Sequence, residues 1–206
     1  MTTTPPLTRR EFLYYVWAAS LALFTAEAGG AVLWFALPRF KPGEFGSTFT
    51  IPVEDLPLPD SPPAGYNDGR FWLVTVGPQS VSDPLHPAGY ATQPGLVALY
   101  KVCVHLGCLY RWEDTLGRFK CPCHASQYLR DGTRVHGPAT RDLDKFVIKA
   151  VDADGNVLTA TRTGEADADP SAGQAIRIPD GAAALVVDTG KRIRGRWNAG
   201  ANTAPD

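Results

Sequence analysis

The hydrophobic pattern along the chain changes character once, near residue 37. Over residues 12–37 the sequence is apolar almost without interruption. Only one charged residue, Glu27, stands in it, and Pro38 stops any helix there. At about 1.5 Å per residue this stretch makes a helix of about 39 Å, more than the roughly 30 Å of a bilayer's hydrocarbon core. The pattern therefore predicts a single N-terminal transmembrane α-helix over 12–37. Residues 38–47 carry two prolines and two glycines without an apolar period, which predicts a linker reaching at most about 33–36 Å when extended. Short apolar segments follow, each closed by turn residues: 47–53, 71–76, 96–102, 110–112, 118–120, 146–151 and 157–161. Asp154-Gly155-Asn156 supplies a hairpin turn between the last two. The prediction is an antiparallel β domain over 48–162 with proline-rich loops at 56–67 and 77–94, and with His86 and His136 as solvated loop residues. Beyond it, a small-residue linker at 165–173 leads to strands at 175–178 and 182–187. A turn at Asp188-Thr189-Gly190 then opens the basic run 191–196, read as a solvated edge strand, so that 163–206 forms an extension with a hairpin and a disordered tail from 198.

Composition changes this picture little. A chain of 206 residues with 44% hydrophobic content supports one good-sized core and an appendage. Its net charge of -1 comes from dispersed charges, which argues against nucleic acid as a partner. Eighteen prolines and twenty glycines suit short strands and many turns. The charge that matters is local. Arg9 and Arg10, just before the apolar run, resemble a twin-arginine export signal, and they equally suit the positive-inside flank of a membrane helix. Both readings put residues 1–11 in the cytoplasm and the β domain on the outer side of a bacterial cytoplasmic membrane. A cleaved signal ending at Ala26-Glu27-Ala28 is the competing reading, but residues 31–37 continue the apolar run past it. In a span, the Glu27 carboxylate costs about 2.5–3.5 kcal/mol, so it is expected to be protonated or to face protein. Ser20, Thr25, Gly29 and Gly30 would let a partner helix approach closely.

The chemistry is concentrated in residues 101–128, KVCVHLGCLYRWEDTLGRFKCPCHASQY. All four cysteines, Cys103, Cys108, Cys121 and Cys123, lie here with His105 and His124. The pattern is C-x-H-x2-C, a hairpin-like spacer, then C-x-C-H. Six soft or borderline ligands exceed what one tetrahedral ion uses, so the residues must divide the work. A Cys2His2 zinc ribbon is an alternative, although zinc sites usually take C-x2-4-C pairs and have no use for a second cysteine couple. A plain two-disulfide scaffold leaves both histidines without a role.

The boxes Cys103-Val-His-Leu-Gly-Cys108 and Cys121-Pro-Cys-His-Ala-Ser126 resemble those of Rieske iron-sulfur proteins, commonly C-T-H-L-G-C and C-P-C-H-G-S. Gly137-Pro138-Ala139 is similar to that family's proline loop over the cluster. Val104 stands where Thr is common, and Ala125 where Gly is common. The resemblance implies an all-β Rieske-type domain, an antiparallel β-sandwich with a cluster-binding subdomain at about 96–139. It implies a [2Fe-2S] cluster with Cys103 and Cys121 on one iron, His105 and His124 on the other, and a Cys108–Cys123 disulfide. That disulfide would close a loop of about 15 residues, worth about 3 kcal/mol. It also implies redox tuning by Ser126 and Tyr128, and quinol contact through His124, His105 and Leu106. The expected function is that of the membrane-anchored Rieske subunit of a cytochrome bc-type complex. It would take an electron and a proton from quinol at cytochrome b and pass the electron to a c-type cytochrome or other soluble carrier. A Rieske small subunit of arsenite oxidase shares the export signal but docks on a molybdenum subunit. A ring-hydroxylating dioxygenase component would lack the span and the extra cysteine pair.

Overall fold

The computed structural model describes residues 7–37, 41–87 and 92–198. The chain divides into two compact units, Met1–Arg39 and Phe40–Asp206.

The first unit is helix α1, Arg9–Ala36. It begins three residues before the expected start because Thr8-Arg-Arg-Glu11 forms a capping box. The Glu11 N–H donates to the Thr8 hydroxyl oxygen, and the Thr8 N–H donates to the Glu11 carboxylate at 2.9 Å. The same T-x-x-E spacing was legible in the sequence. Arg9 and Arg10 thus form the first turn. Ser20 and Thr25 satisfy their hydroxyls on carbonyls one turn back, Ser20 on Val16 and Thr25 on Leu21 and Ala22. The helix is long and apolar enough to cross a membrane, and no residue of α1 is buried.

The second unit is β-rich, as expected. Its strands among the described residues are β1 Thr48–Pro52, β2 Ala64–Tyr66, β3 Phe71–Val76, β4 Gly95–Tyr100, β5 Arg111–Glu113, β6 Arg118–Lys120, β7 Gln127–Tyr128, β8 Arg134–His136, β9 Lys145–Val151, β10 Val157–Ala160 and β11 Ala184–Ile193, with a one-turn helix, α2 Pro78–Val81. They form a seven-stranded antiparallel sheet of order β1-β11-β9-β4-β3-β2, with β10 on β9, and a four-stranded sheet of order β5-β6-β7-β8. β3 and β4 read as continuous apolar runs because both of their faces are covered. Phe71, Leu73, Leu96 and Ala98 enter one core with Phe146, Ile148, Leu185 and Val187. Val74, Val76, Val97 and Leu99 enter the other with Tyr110, Phe119, Tyr128 and two cysteines, Cys103 and Cys121. The small sheet is therefore joined to the large one through a core that includes the cysteines themselves.

Several sequence expectations are corrected. Asp188-Thr189-Gly190 does not reverse the chain but lies inside β11, where pairing to β9 skips between Asp188 and Arg192. Thr189 is turned inward, its hydroxyl donating to the Ser47 carbonyl at 2.8 Å and accepting from the Gly46 N–H at 2.8 Å, so the extra residues bulge instead of turning. The segment 182–187 therefore belongs to the main sheet, between β1 and β9, and Arg192 and Ile193 pair with β9 instead of forming a separate edge. Residues 175–178 make only a bridge, Leu96 to Ile176. Of the expected linker, 38–40 lies outside the described residues, and 41–47 packs on the β unit. Phe45 stacks on Tyr100 at 5.9 Å, with the Arg70 guanidinium 4.9 Å from its ring. The disordered tail expected from 198 is corrected at its first residue: Asn198 is buried, its N–H donating to the Thr140 carbonyl at 3.0 Å, and 199–206 lies outside the described residues.

Candidate metal centre

Each ligand box is a loop at the end of an antiparallel pair. The first is closed by the bridge between Val102 and Leu109, the second by β6 and β7. Their backbones repeat one pattern. In the first, the Cys103 N–H donates to the Cys108 carbonyl at 2.7 Å and the Gly107 N–H to the Cys103 carbonyl at 3.0 Å. In the second, the Cys121 N–H donates to the Ser126 carbonyl at 2.8 Å and the Ala125 N–H to the Cys121 carbonyl at 3.0 Å. The fourth residue after each leading cysteine is left-handed, Gly107 at φ 86° and Ala125 at φ 58°. The Ala at 125 thus falls on the one position of its loop where glycine is free of strain.

This pairing of loops separates the side chains by chemistry. Cys103 and Cys121 are each 2% exposed, whereas His105 is half-buried and His124 exposed, their rings 4.8 Å apart and nearly perpendicular. Cys108 and Cys123 are bonded to each other, with Cα atoms 6.6 Å apart. The sulfurs of Cys108, Cys121 and Cys123 lie within 4.8 Å of one another, as a metal-binding trio would. Two of them share the disulfide bond, so that trio offers one thiol and does not form a site of its own.

The surroundings are built from the hydrophobic core. The Tyr128 hydroxyl is 3.1 Å from the Cys103 sulfur. Burial first, and then Cys103, push the Tyr128 pKa up, which keeps the phenol a donor. Burial likewise raises the Cys103 thiol, against the opposing pull of Tyr128, and the neighbouring Cys121 adds to the rise. Thiolates in such a place need a cation beside them. Ser126 is fully buried, and its oxygen accepts from the Ala139 N–H at 3.1 Å, which leaves its proton for another acceptor. Gly137, at φ 91°, lets the following Pro138 and Ala139 fold over this point. A Cβ there would lie 2.5 Å from the Ser126 Cα. Leu106 is 72% exposed beside the histidines. Two buried sulfurs, two adjacent imidazoles at the surface and neutral donors behind them fit a mixed cysteine and histidine iron-sulfur centre.

Comparison with known proteins agrees with this chemistry. A profile of the Rieske [2Fe-2S] domain matches residues 84–147. The cytochrome b6-f complex iron-sulfur subunit of Synechococcus sp. (strain JA-2-3B'a(2-13)) is 48% identical over 153 residues, 73% of this chain and 86% of that one. The chain belongs to the Rieske iron-sulfur family. The subunit of the same name from Gloeobacter violaceus is 45% identical over 174 residues, covering 77% of this chain and 85% of its own, and that of Chlorobaculum tepidum is 37% identical over 145 residues, covering 70% and 71%. As a Rieske protein the chain carries a [2Fe-2S] cluster and is an electron-transfer component.

One polar pair behind the second loop escaped the sequence reading. His86 is not a solvated loop residue. Its Nε2 lies 3.1 Å from the Asp131 carboxylate and its Nδ1 3.1 Å from the Asp83 carbonyl, with both side chains of the pair about nine-tenths covered. Thr92 and Thr133 donate to the same carboxylate. His136 is half-buried and lies in β8, opposite Gln127 of β7. Partners so distant along the chain leave no local signal.

Proposed function

We propose that this chain is the membrane-anchored Rieske subunit of a cytochrome bc-type complex, taking one electron and one proton from quinol and passing the electron to a c-type cytochrome or another soluble carrier. The observation that carries this reading is the division of the site into buried sulfurs and surface imidazoles. Cys103 and Cys121 would hold one iron and His105 and His124 the other. Held there, the cluster supplies a one-electron acceptor whose imidazole ligands set potentials of roughly -150 to +300 mV, against about -400 mV for all-cysteine plant-type clusters. Each histidine uses one ring nitrogen in ligation and has the other left for a substrate. His124, the more exposed, is the one assigned to the quinol hydroxyl, where it takes the hydrogen bond and then the proton, with His105 beside it. Leu106 shields the centre and meets the apolar wall of the partner. Ser126 and Tyr128 would donate to the centre from behind and would favour its reduced form.

The helix supplies the anchor. Arg9 and Arg10 at its N-terminus fit a cytoplasmic end and export by a twin-arginine pathway, with residues 41–206 on the opposite side of the membrane. Ser20 and Thr25 bond within the helix, and in this reading Glu27 faces protein of a neighbouring subunit and not lipid.

A redox titration of the purified chain, followed by electron paramagnetic resonance at several pH values, tests the reading. A histidine-ligated [2Fe-2S] signal whose midpoint falls as pH rises supports coupled uptake of electron and proton. A low midpoint indifferent to pH removes the quinol mechanism, and a chain without iron returns the zinc alternative.

A further inference from the structure

A buried polar cluster behind the proline loop centres on two side chains given no role so far, Arg134 and Asn198. Arg134 of β8 is 2% exposed and stands in register with Tyr128 of β7, whose hydroxyl meets Cys103. Its guanidinium donates to the Gly137 carbonyl at one end of the loop and, at 2.7 Å, to the Asn198 carbonyl. Asn198, 8% exposed, answers from the other side. Its side-chain amide donates to the Arg134 carbonyl at 2.8 Å and to the Asp142 carboxylate at 3.0 Å, and its N–H donates to the Thr140 carbonyl at 3.0 Å. The Arg134 N–H donates to the same Asp142 oxygen at 2.8 Å, and the Asp142 N–H donates to the Arg196 carbonyl at 2.9 Å. Gly195 brings the backbones close, since a Cβ there would lie 2.0 Å from the Asp142 carbonyl oxygen.

Residues 137–142 are thus held at both ends by one buried cation and one buried amide, and the amide comes from a segment more than fifty positions away in the sequence. The inner side of the same loop places Ala139 on the Ser126 hydroxyl and Gly137 against the Ser126 backbone. We propose that Arg134 and Asn198 are positioning residues of the metal centre, and that residues 195–198 form a strap that sets the Ser126 hydroxyl by holding the loop above it. This rests on the ligand assignment made above. The strap turns a C-terminal segment with no chemistry of its own into a determinant of the potential.

The test uses the full-length chain with its cluster. Asn198→Ala removes the amide and leaves the charge. Arg134→Lys keeps a charge but cannot span two carbonyls, and serves if Asn198→Ala does not fold. Val157→Ala, an exposed side chain on β10 away from the loop, is the control. Expected are a lower midpoint and altered g-values in Asn198→Ala and Arg134→Lys, smaller than in Ser126→Ala, with no change in Val157→Ala. In a Ser126→Ala background, Asn198→Ala adds no further shift. Loss of thermal stability with an unmoved midpoint and spectrum would overturn the strap, as would an undiminished shift in the Ser126→Ala background. A wild-type chain lacking the histidine-ligated signal would instead remove the ligand assignment on which the strap depends.

Discussion

The two ligand loops, 103–108 and 121–126, have one backbone and two kinds of support. Both repeat the same pair of hydrogen bonds and the same left-handed fourth residue. The first loop meets that demand with Gly107 and leaves the neighbouring Leu106 exposed. The second meets it with Ala125 and is roofed by the 137–142 loop, which bonds to Ser126. Backbone conformation is thus set by the need to present a cysteine inward and a histidine outward, while the roof decides what each side chain touches.

The largest effect is expected from breaking what the loops share. Cys108→Ser combined with Cys123→Ser opens a link with sequence separation 15 and should cost about 3 kcal/mol in denaturant unfolding. An unchanged midpoint of unfolding would mean the loops hold together without it. The roof is tested next. If the Ser126 proton is donated to the centre, Ser126→Ala removes about 1.5–3 kcal/mol of reduced-state stabilisation and lowers the redox midpoint by about 65–130 mV. No shift would show that the hydroxyl serves only Ala139.

The backbone difference gives a smaller, paired prediction. Gly107→Ala should destabilise by about 1–2 kcal/mol, whereas Ala125→Gly relieves a similar strain and, after the entropic cost of glycine, should stabilise by about 0.5–1 kcal/mol. Equal responses in thermal unfolding would deny that the loops make the same demand. The smallest effect lies behind the second loop. Burial opposes protonation of His86, but Asp131 and the Asp83 carbonyl outweigh it and raise its pKa above the ordinary 6.5. Its stabilisation is therefore complete below pH 6.5 and is lost as pH rises through the raised value. Stability measured across that window should decline on the alkaline side, and Asp131→Asn should abolish the decline.

Much of the molecule was legible because its signals are local. The apolar run of α1, the doubly buried strands β3 and β4, and two cysteine and histidine boxes of matching composition each announce themselves within a few residues. The capping box at Thr8 and Glu11 is equally local, and it starts the helix ahead of the first apolar residue. Asp188-Thr189-Gly190 misled because its residues favour a turn in isolation, while Ser47 and Gly46, distant in sequence, draw Thr189 into a bulge.

The sequence by itself determined which residue types could hold metal and which stretch could cross a membrane, since both depend on composition over short spans. Tertiary structure decided where the buried charges go. Asp131 finds His86, and Arg134 finds Asn198, across separations of 45 and 64 residues. A buried ion must be paired wherever the fold brings a partner, and that place is not written in its neighbours.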